Sequence, residues 1–457
     1  MRLCILISAI CILTCPPAHA QAPDTLWTRT YGGTSDDVGR SMQLTPDGGC
    51  IIAGYTRSFG AGGSDVWLLR LDSVGNTLWS RTYGGSQDDE AYSVDLTFDG
   101  GYIVAGMTRS FGAGGSDVWL LKFSAGGDTQ WARTCGRNWD DFGYSVRQLP
   151  DSGYIVGGEG YYTCNGWLLR YDALGDTLWT RVQSIAASVE CVRQAMNGDL
   201  LLAGYSKVGS GYHTRTDPAG GELWAINSSG FNGVASRLDN GSVVVGAYLR
   251  WIGESLYVYL ALSAYDSTGS VSWVKLFRPR STNASGSSVE RAGSGYIAVG
   301  GGGSANGDLS LVRVNPSGDS LWTKVVGSDS EDIGCACQQT SDRGFLIAGS
   351  TRSFGAGGAD VWLIRLGPEL IGIEEAQLAE VRTSVGATIV RGVLEISSQL
   401  TADGSRPELL DATGRRVAGL HPGANEVSRL APGVYFVRLA PGVGRQAPRV
   451  TKVVVTR

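Results

Sequence analysis

The chain has 457 residues, 42% of them hydrophobic, with 67 glycines and a formal net charge of −5, enough for two or three domains with apolar cores. Glycine at about twice its usual share without a triplet period implies many turns and excludes a collagen-like chain, and the acidic balance gives no reason to expect a nucleic acid partner. The charge is uneven, with eleven basic against six acidic residues in 378–457 and 27 against 37 before it, which suggests two domains with different jobs.

Residues 1–20 have the form of an export signal: Arg2, an apolar run from Leu3 to Leu13, then Ala18-His19-Ala20 ahead of Gln21. The run is too short to cross a bilayer, so no transmembrane segment is expected after signal removal. The protein is expected to be secreted, extracellular or on the outer cell surface. Six cysteines then remain, and their pairing does not follow from sequence. Cys335 and Cys337 are two apart in an expected strand, which places both on one face as packed small residues.

From residue 27 the chain repeats. Residues 79–130 closely copy 27–78, 331–367 are a partial third copy, and Trp27, Trp79, Trp131, Trp179, Trp224, Trp273 and Trp322 recur 45 to 52 residues apart. A period of this size marks a repeat architecture. In the second copy, four strands are expected: an alternating one at 92–97, then 102–108 after the turn Asp99-Gly100-Gly101, then 118–123 and 129–134. The middle two are apolar on both faces, which requires cover on each side by other sheets. Radial packing of four-stranded blades provides that cover.

The repeats are out of phase with the chain. A fourth-type strand at 25–30 precedes the first complete repeat, and the strand at 361–366 runs into Gly367-Pro368 with no fourth strand after it. Pairing of 25–30 with 361–366 would close the ring and remove both exposed edges. Repeats four to six have drifted, with His213, Ala261 and Ser310 or their neighbours where other repeats carry Trp67, Trp119, Trp167 and Trp362.

The expected fold class is all-β, a seven-bladed β-propeller over 21–367 followed by a linker at 368–377 and a small C-terminal β-sandwich over 378–457. The repeat pattern, including WSRTYGGSQDDEAYSVDLTFDGGYIVAGMTRSF from Trp79, resembles secreted bacterial seven-bladed propeller repeats, and the turn leading to each landmark tryptophan is similar to that of quinoprotein-type propellers. The segments LLDATGRRVAGL, LAPGVYFVRLAPG and KVVVTR resemble the C-terminal sorting domain of type IX secretion cargo, although a Tyr-Pro-Asn-Pro opening is absent. That likeness implies the type IX secretion machinery as a partner.

In antiparallel blades both longer loops share one face. One set carries the acidic pairs Asp36-Asp37, Asp88-Asp89, Asp140-Asp141 and Glu331-Asp332, and the other carries Arg57 and Phe59, Arg109 and Phe111, and Arg352 and Phe354 in SFGAGG loops. The carboxylates are candidates for calcium; the alternative, favoured because no DxDxDG spacing is present, is that each holds its own loop through backbone amides. The Arg and Phe residues are candidates for stacking on a glycan or contacting a protein ligand, with the phenylalanines as plugs of the blade junctions the alternative. No phosphate cradle is expected from SFGAGG, since no Lys-Ser/Thr or helix follows it. Only His213 and His421 lie outside the signal, which disfavours a Ser/His/Asp triad or histidine zinc site. The expectation is a non-catalytic binding module. A glycan-active hydrolase or lyase using carboxylates on the long-loop face and a structural surface repeat protein are the alternatives.

Overall fold

The computed structural model describes residues 21–369, apart from 161–164, 185, 209, 229–230, 239–241, 253–254, 278–284 and 302–306, and residues 388–455, apart from 391–392, 397–406, 412–414, 422, 428–429, 431–432 and 440–448. The expected export signal and the linker from residue 370 lie outside the described residues. Two compact units divide at Leu370. Among the described residues every regular element is a strand, and no helix is long and apolar enough to cross a membrane.

Among the described residues, the first unit holds four-stranded antiparallel sheets, labelled I to VII below. After β1 (Thr25–Tyr31), sheet I holds β2 (Asp37–Leu44), β3 (Cys50–Thr56), β4 (Asp65–Leu71) and β5 (Thr77–Tyr83). Sheet II holds β6 (Asp89–Leu96), β7 (Tyr102–Thr108), β8 (Asp117–Phe123) and β9 (Thr129–Cys135), and sheet III holds β10 (Asp141–Gln148), β11 (Tyr154–Gly160), β12 (Asn165–Tyr171) and β13 (Thr177–Val182). Sheet IV holds β14 (Cys191–Gln194), β15 (Leu200–Tyr205), β16 (Gly211–Thr216) and β17 (Glu222–Ser228), and sheet V holds β18 (Phe231–Leu238), β19 (Ser242–Ile252), β20 (Ser255–Tyr265) and β21 (Val271–Phe277). Sheet VI holds β22 (Ser285–Ala292), β23 (Gly295–Gly301), β24 (Leu309–Val314) and β25 (Ser320–Val326).

Sheet VII takes β26 (Asp332–Gln339), β27 (Phe345–Thr351) and β28 (Asp360–Leu366) from one end of the repeat region and β1 from the other, in the order β1-β28-β27-β26. Thr25 pairs with Leu366 and Tyr31 with Val361. The first strand of each sheet lies against the first strand of the next, and β26 of sheet VII lies against β2 of sheet I.

The sheets pack face to face through their apolar middle strands. Between VII and I, for example, Met42, Ile52 and Leu69 meet Ala348, Val361 and Leu363. The landmark tryptophans sit at the outer edge, where each ring meets the turn glycine of the following sheet. A methyl group built on Gly127 would lie 3.1 Å from Trp79, and one on Gly75 3.0 Å from Trp27. Both glycines have positive φ, +84° and +82°, so conformation and contact each demand glycine there. Arg29 and Arg81 lie over the rings of Trp27 and Trp79 at 5.8 and 5.9 Å.

Trp322 differs, because sheet VII has no turn between its third and fourth strands. It is almost fully buried, and its indole donates to Glu369 Oε1 at 2.8 Å. The same oxygen accepts from Arg313 Nε at 2.7 Å. Glu369, expected in the linker, is therefore fixed to the first unit. Cys335 and Cys337, expected on one face, also part company. A bulge in β26 leaves Cys335 packed toward sheet I while Cys337 is buried among residues of sheets VI and VII.

The second unit contains a five-stranded sheet of β29 (Thr388–Val390), β35 (Arg449–Val455), β34 (Gly433–Leu439), β31 (Pro407–Leu410) and β32 (Arg416–Gly419), in that order, and a pair of β30 (Val393–Ile396) with β33 (Gly423–Glu426). Leu394 of β30 shares a core with Leu409, Val427, Tyr435 and Val437.

Arg313 and Glu369 are both nearly inaccessible, and truncating one partner of such a pair leaves the other charge buried. Glu369→Ala is expected to cost about 3 kcal/mol, read as a lowered urea midpoint with an unchanged m-value. Lys275→Ala, which removes an exposed ion pair with Asp319, is expected to leave the midpoint almost unmoved.

Candidate functional site

The acidic pairs divide their work. The second member of three of them anchors its own sheet: Asp37 accepts from the Thr56 hydroxyl, from Ser58 Oγ at 2.6 Å and from the Gly33 amide at 2.7 Å. Asp89 does the same with Thr108, Ser110 (2.6 Å) and Gly85 (2.8 Å), and Asp332 with Thr351, Ser353 (2.8 Å) and Ser328 (3.0 Å). Asp141, whose repeat has Gly160 and Tyr162 where the others have the Thr and Ser partners, accepts from the Arg137 amide at 2.9 Å. Burial pushes its carboxyl up.

The first member reaches back to the preceding sheet. Asp36 accepts from the Ala359 amide at 2.8 Å, Asp88 from the Ser64 amide at 2.9 Å, and Asp140 from the Ser116 amide at 2.7 Å. The Ala359 amide, assisted by Arg352, holds Asp36 below the usual carboxylate range. Glu331 lies 3.9 Å from Arg352. These oxygens are engaged by protein donors. Among the described residues no three Asp, Glu, His or Cys side chains converge where an ion could sit, although a calcium site requires six or more oxygens.

The latches bring the loops of sheets VII, I and II side by side. There Phe59, Phe111 and Phe354 are 49%, 47% and 44% exposed. Each rests on its own sheet's tryptophan, Trp67, Trp119 and Trp362, with ring centroids 6.0, 5.3 and 5.5 Å apart, leaving the other side open. Arg352 is 3.1 Å from Asp36, and Arg109 donates to Ser116 Oγ at 3.0 Å. Arg57 lies 5.8 Å from the Tyr55 ring.

A second feature was not anticipated from the sequence. The innermost strands surround a cavity of about 660 Å³ that reaches Glu331, Arg352 and Ala359 of the loops. Strands β2, β6, β10, β22 and β26 each carry a bulge at the same place, so that Arg40, Tyr92, Tyr144, Ser287 and Cys335 have no ladder partner. All five line the cavity. A bulge re-aims a side chain that strict alternation would send into the sheet interface. Glu190, just before β14, is the matching residue of sheet IV, since the Val192 and Val146 amides donate to the equivalent Ser145 and Ser93 hydroxyls.

Charges on this surface are mostly paired. Arg40 donates to Glu90 at 2.8 Å and stacks over Tyr92 and Tyr55 at 4.6 and 5.2 Å. Arg147 meets Asp95 at 3.0 Å, and Arg193 meets Glu290 at 3.2 Å. Tyr144 packs against Phe142 and Tyr92 and donates to Glu159 Oε1 at 2.7 Å. Burial, with a contribution from the Glu159 charge, pushes the Glu190 carboxyl up to about 7 despite a hydrogen bond from Ser188. His213 is buried in β16 with its ring 5.3 Å from Tyr265, and burial lowers its pKa to about 4.

The sequence does hold a signal for the cavity. Sheets I to III are near-copies, yet they differ at 40, 92 and 144 (Arg, Tyr, Tyr), at 38, 90 and 142 (Val, Glu, Phe) and at 55, 107 and 159 (Tyr, Met, Glu). Residues that differ among otherwise matching repeats mark the surface where the repeats are not interchangeable.

Four-stranded antiparallel sheets recurring about every 50 residues, each presenting its first strand to a shared interior, define a β-propeller repeat protein. No family model matches the chain. Among curated proteins, the regulatory protein FlaEY of Caulobacter vibrioides is 28% identical over 133 residues, 24% of this chain; the match spans only 14% of FlaEY. Similar solved structures include BBS1N in complex with ARL6DN, at 13% identity and a TM-score of 0.43, covering 78% of this chain and 100% of that one. A protein of unknown function from Dyadobacter fermentans matches at 11% identity and a TM-score of 0.43, covering 76% of this chain and 99% of that one.

Asp89→Asn places an amide donor against the Gly85 amide and Ser110 hydroxyl, and is expected to cost about 2 kcal/mol in denaturant unfolding. The Tm of the unsubstituted protein is expected not to move when a calcium chelator is added.

Glu190 makes a further prediction. Its folded pKa, about 7, lies above the ordinary 4.5, so the folded state holds the proton more tightly. Its contribution is therefore largest at low pH and is lost as pH rises from about 4.5 to about 7, by ~3 kcal/mol. The stability difference between Glu190→Gln and the unsubstituted protein is expected to grow in the variant's favour across that window.

Proposed function

We propose that the protein is an exported, non-catalytic interaction module: a closed seven-bladed ring, followed by a C-terminal β-sandwich that directs it through the type IX secretion machinery to the outer surface or the medium. The ring is supported by the contact of each innermost strand with the next and by the sheet shared between β1 and β28. The export reading is supported by the apolar N-terminal run and by the GVYFVR and KVVVTR segments.

The observation that carries the binding role is the row of half-exposed Phe59, Phe111 and Phe354 in adjoining, mutually latched loops. Aromatic rings held rigid with one side open, next to Arg57, Arg109 and Arg352, suit a glycan or protein ligand at low entropic cost. The propeller supplies the rigidity, since each loop is fixed at both ends by buried aspartates.

The test is a glycan array and a surface-protein overlay with the unsubstituted protein and with the Phe59→Ala, Phe111→Ala, Phe354→Ala triple variant. Retention by a ligand is expected to fall at least tenfold in the variant with Tm changed by only a few degrees. Undiminished retention in the variant rejects the loop face as the binding surface, and turnover of a glycan in place of retention rejects the non-catalytic reading.

A further inference from the structure

We propose that the inner cavity is a separate binding site for an organic cation, a guanidinium or ammonium group, seated at the wall lined by Tyr144, Glu190 and Tyr205, with Glu159 bonded to Tyr144. This inference does not rest on the loop-face reading.

The protein provides its own template. Between sheets I and II, the Arg40 guanidinium lies over Tyr92 at 4.6 Å and Tyr55 at 5.2 Å and donates to Glu90 at 2.8 Å. Two tyrosines and a carboxylate thus hold a cation at the cavity wall. Arg40 occupies the bulge position of its sheet, and Tyr55 lies near the end of the second strand. In sheets III and IV the corresponding positions hold Tyr144 with Glu159 and Glu190 with Tyr205. A tyrosine again stands at one of the two positions in each sheet, the other position holds a carboxyl group where sheets I and II have none, and the arginine is missing.

The charge pattern leads to the same place. In the cavity Arg40, Arg147 and Arg193 are matched by Glu90, Asp95 and Glu290, and Arg352 by Asp36 and Glu331. Among the described residues, no Lys, Arg or His pairs with Glu159 or Glu190. Each uses one oxygen, Glu159 for the Tyr144 phenol and Glu190 for the Ser188 hydroxyl. Glu190 feels the charge of Glu159, and Tyr205 feels that of Glu190. A cation between them replaces repulsion with two ion pairs in partly desolvated surroundings. There is also space: Ser287, Cys335 and Ser350, small at the positions where other sheets carry arginine or tyrosine, leave the cavity open for an alkyl stem.

The cation can come from a free amine or from a basic side chain of a polypeptide, and the experiment separates these. Calorimetry on the full chain at pH 8 uses butylguanidine, its neutral isostere butylurea, and the peptide acetyl-Gly-Arg-Gly-amide. One equivalent of butylguanidine is expected to bind at least tenfold more tightly than butylurea, and Glu159→Gln and Glu190→Gln, shown folded by circular dichroism, are each expected to weaken it at least tenfold. Tighter binding of the peptide than of butylguanidine supports a polypeptide source, and the reverse order a free amine. Equal binding of butylurea, or no binding of either butylguanidine or the peptide at millimolar concentration, overturns the proposal on the unsubstituted protein alone. If a glutamine variant does not fold, Tyr205→Leu serves in its place: at least a threefold loss supports the site, and full affinity in that folded variant overturns it.

Discussion

The sheet shared by the two ends of the repeat region is the constraint on which the rest depends. β1 pairs with β28 over 25–31 and 361–366, so the last sheet cannot form until both ends of some 340 residues of chain have met. Every other sheet is local in sequence and can pair its own strands early. Without β1, β28 would present an unpaired edge, a template for association with another chain, and the tryptophan–glycine contact between sheets VII and I would be missing. The position that other sheets fill with a turn glycine is taken in sheet VII by Glu369, which bonds both Trp322 and Arg313. The chain leaves the ring through a buried ion pair rather than a loose end.

Between sheets the same few devices recur, and each acts at a different radius. Outside, a tryptophan meets a turn glycine and is covered by an arginine. In the middle, apolar strands pack face to face. On the loop face, an aspartate reaches from one sheet to a backbone amide of the one before. Because each device spans a single interface, stability is distributed in nearest-neighbour terms, as in other repeat folds. Drift in sheets IV to VI is tolerated for the same reason: Gly220, Gly269 and Gly318 still receive Trp179, Trp224 and Trp273, although the third strands have lost their tryptophans.

These devices were legible because they recur in the sequence. The tryptophan spacing gives the repeats, and the solitary strand before Val38 with the missing strand after Leu366 points to the shared sheet. The acidic pairs and SFGAGG loops were visible too, but their purpose required geometry: nothing in Asp36-Asp37 says that one carboxylate serves its own sheet and the other the preceding one. The cavity was hidden for a different reason. Alternation along β2 or β6 assigns every second residue to one face, and an inserted residue shifts that assignment without altering composition. The same shift separates Cys335 from Cys337, which alternation had placed together.

The bulge also divides the labour between fold and function. Residues on either side of it, such as Gly39 and Ser41 or Ala91 and Ser93, keep ladder pairing with the second strand, and the Ser41 and Ser93 hydroxyls accept from amides of the next sheet. The bulged residue itself has no ladder partner and lines the cavity. It can therefore be arginine, tyrosine, serine or cysteine without disturbing the sheets that hold it. A scaffold of near-identical copies gains a chemically varied interior in this way: the interfaces demand sameness from one repeat to the next, and the one unpaired residue in each inner strand is released from that demand.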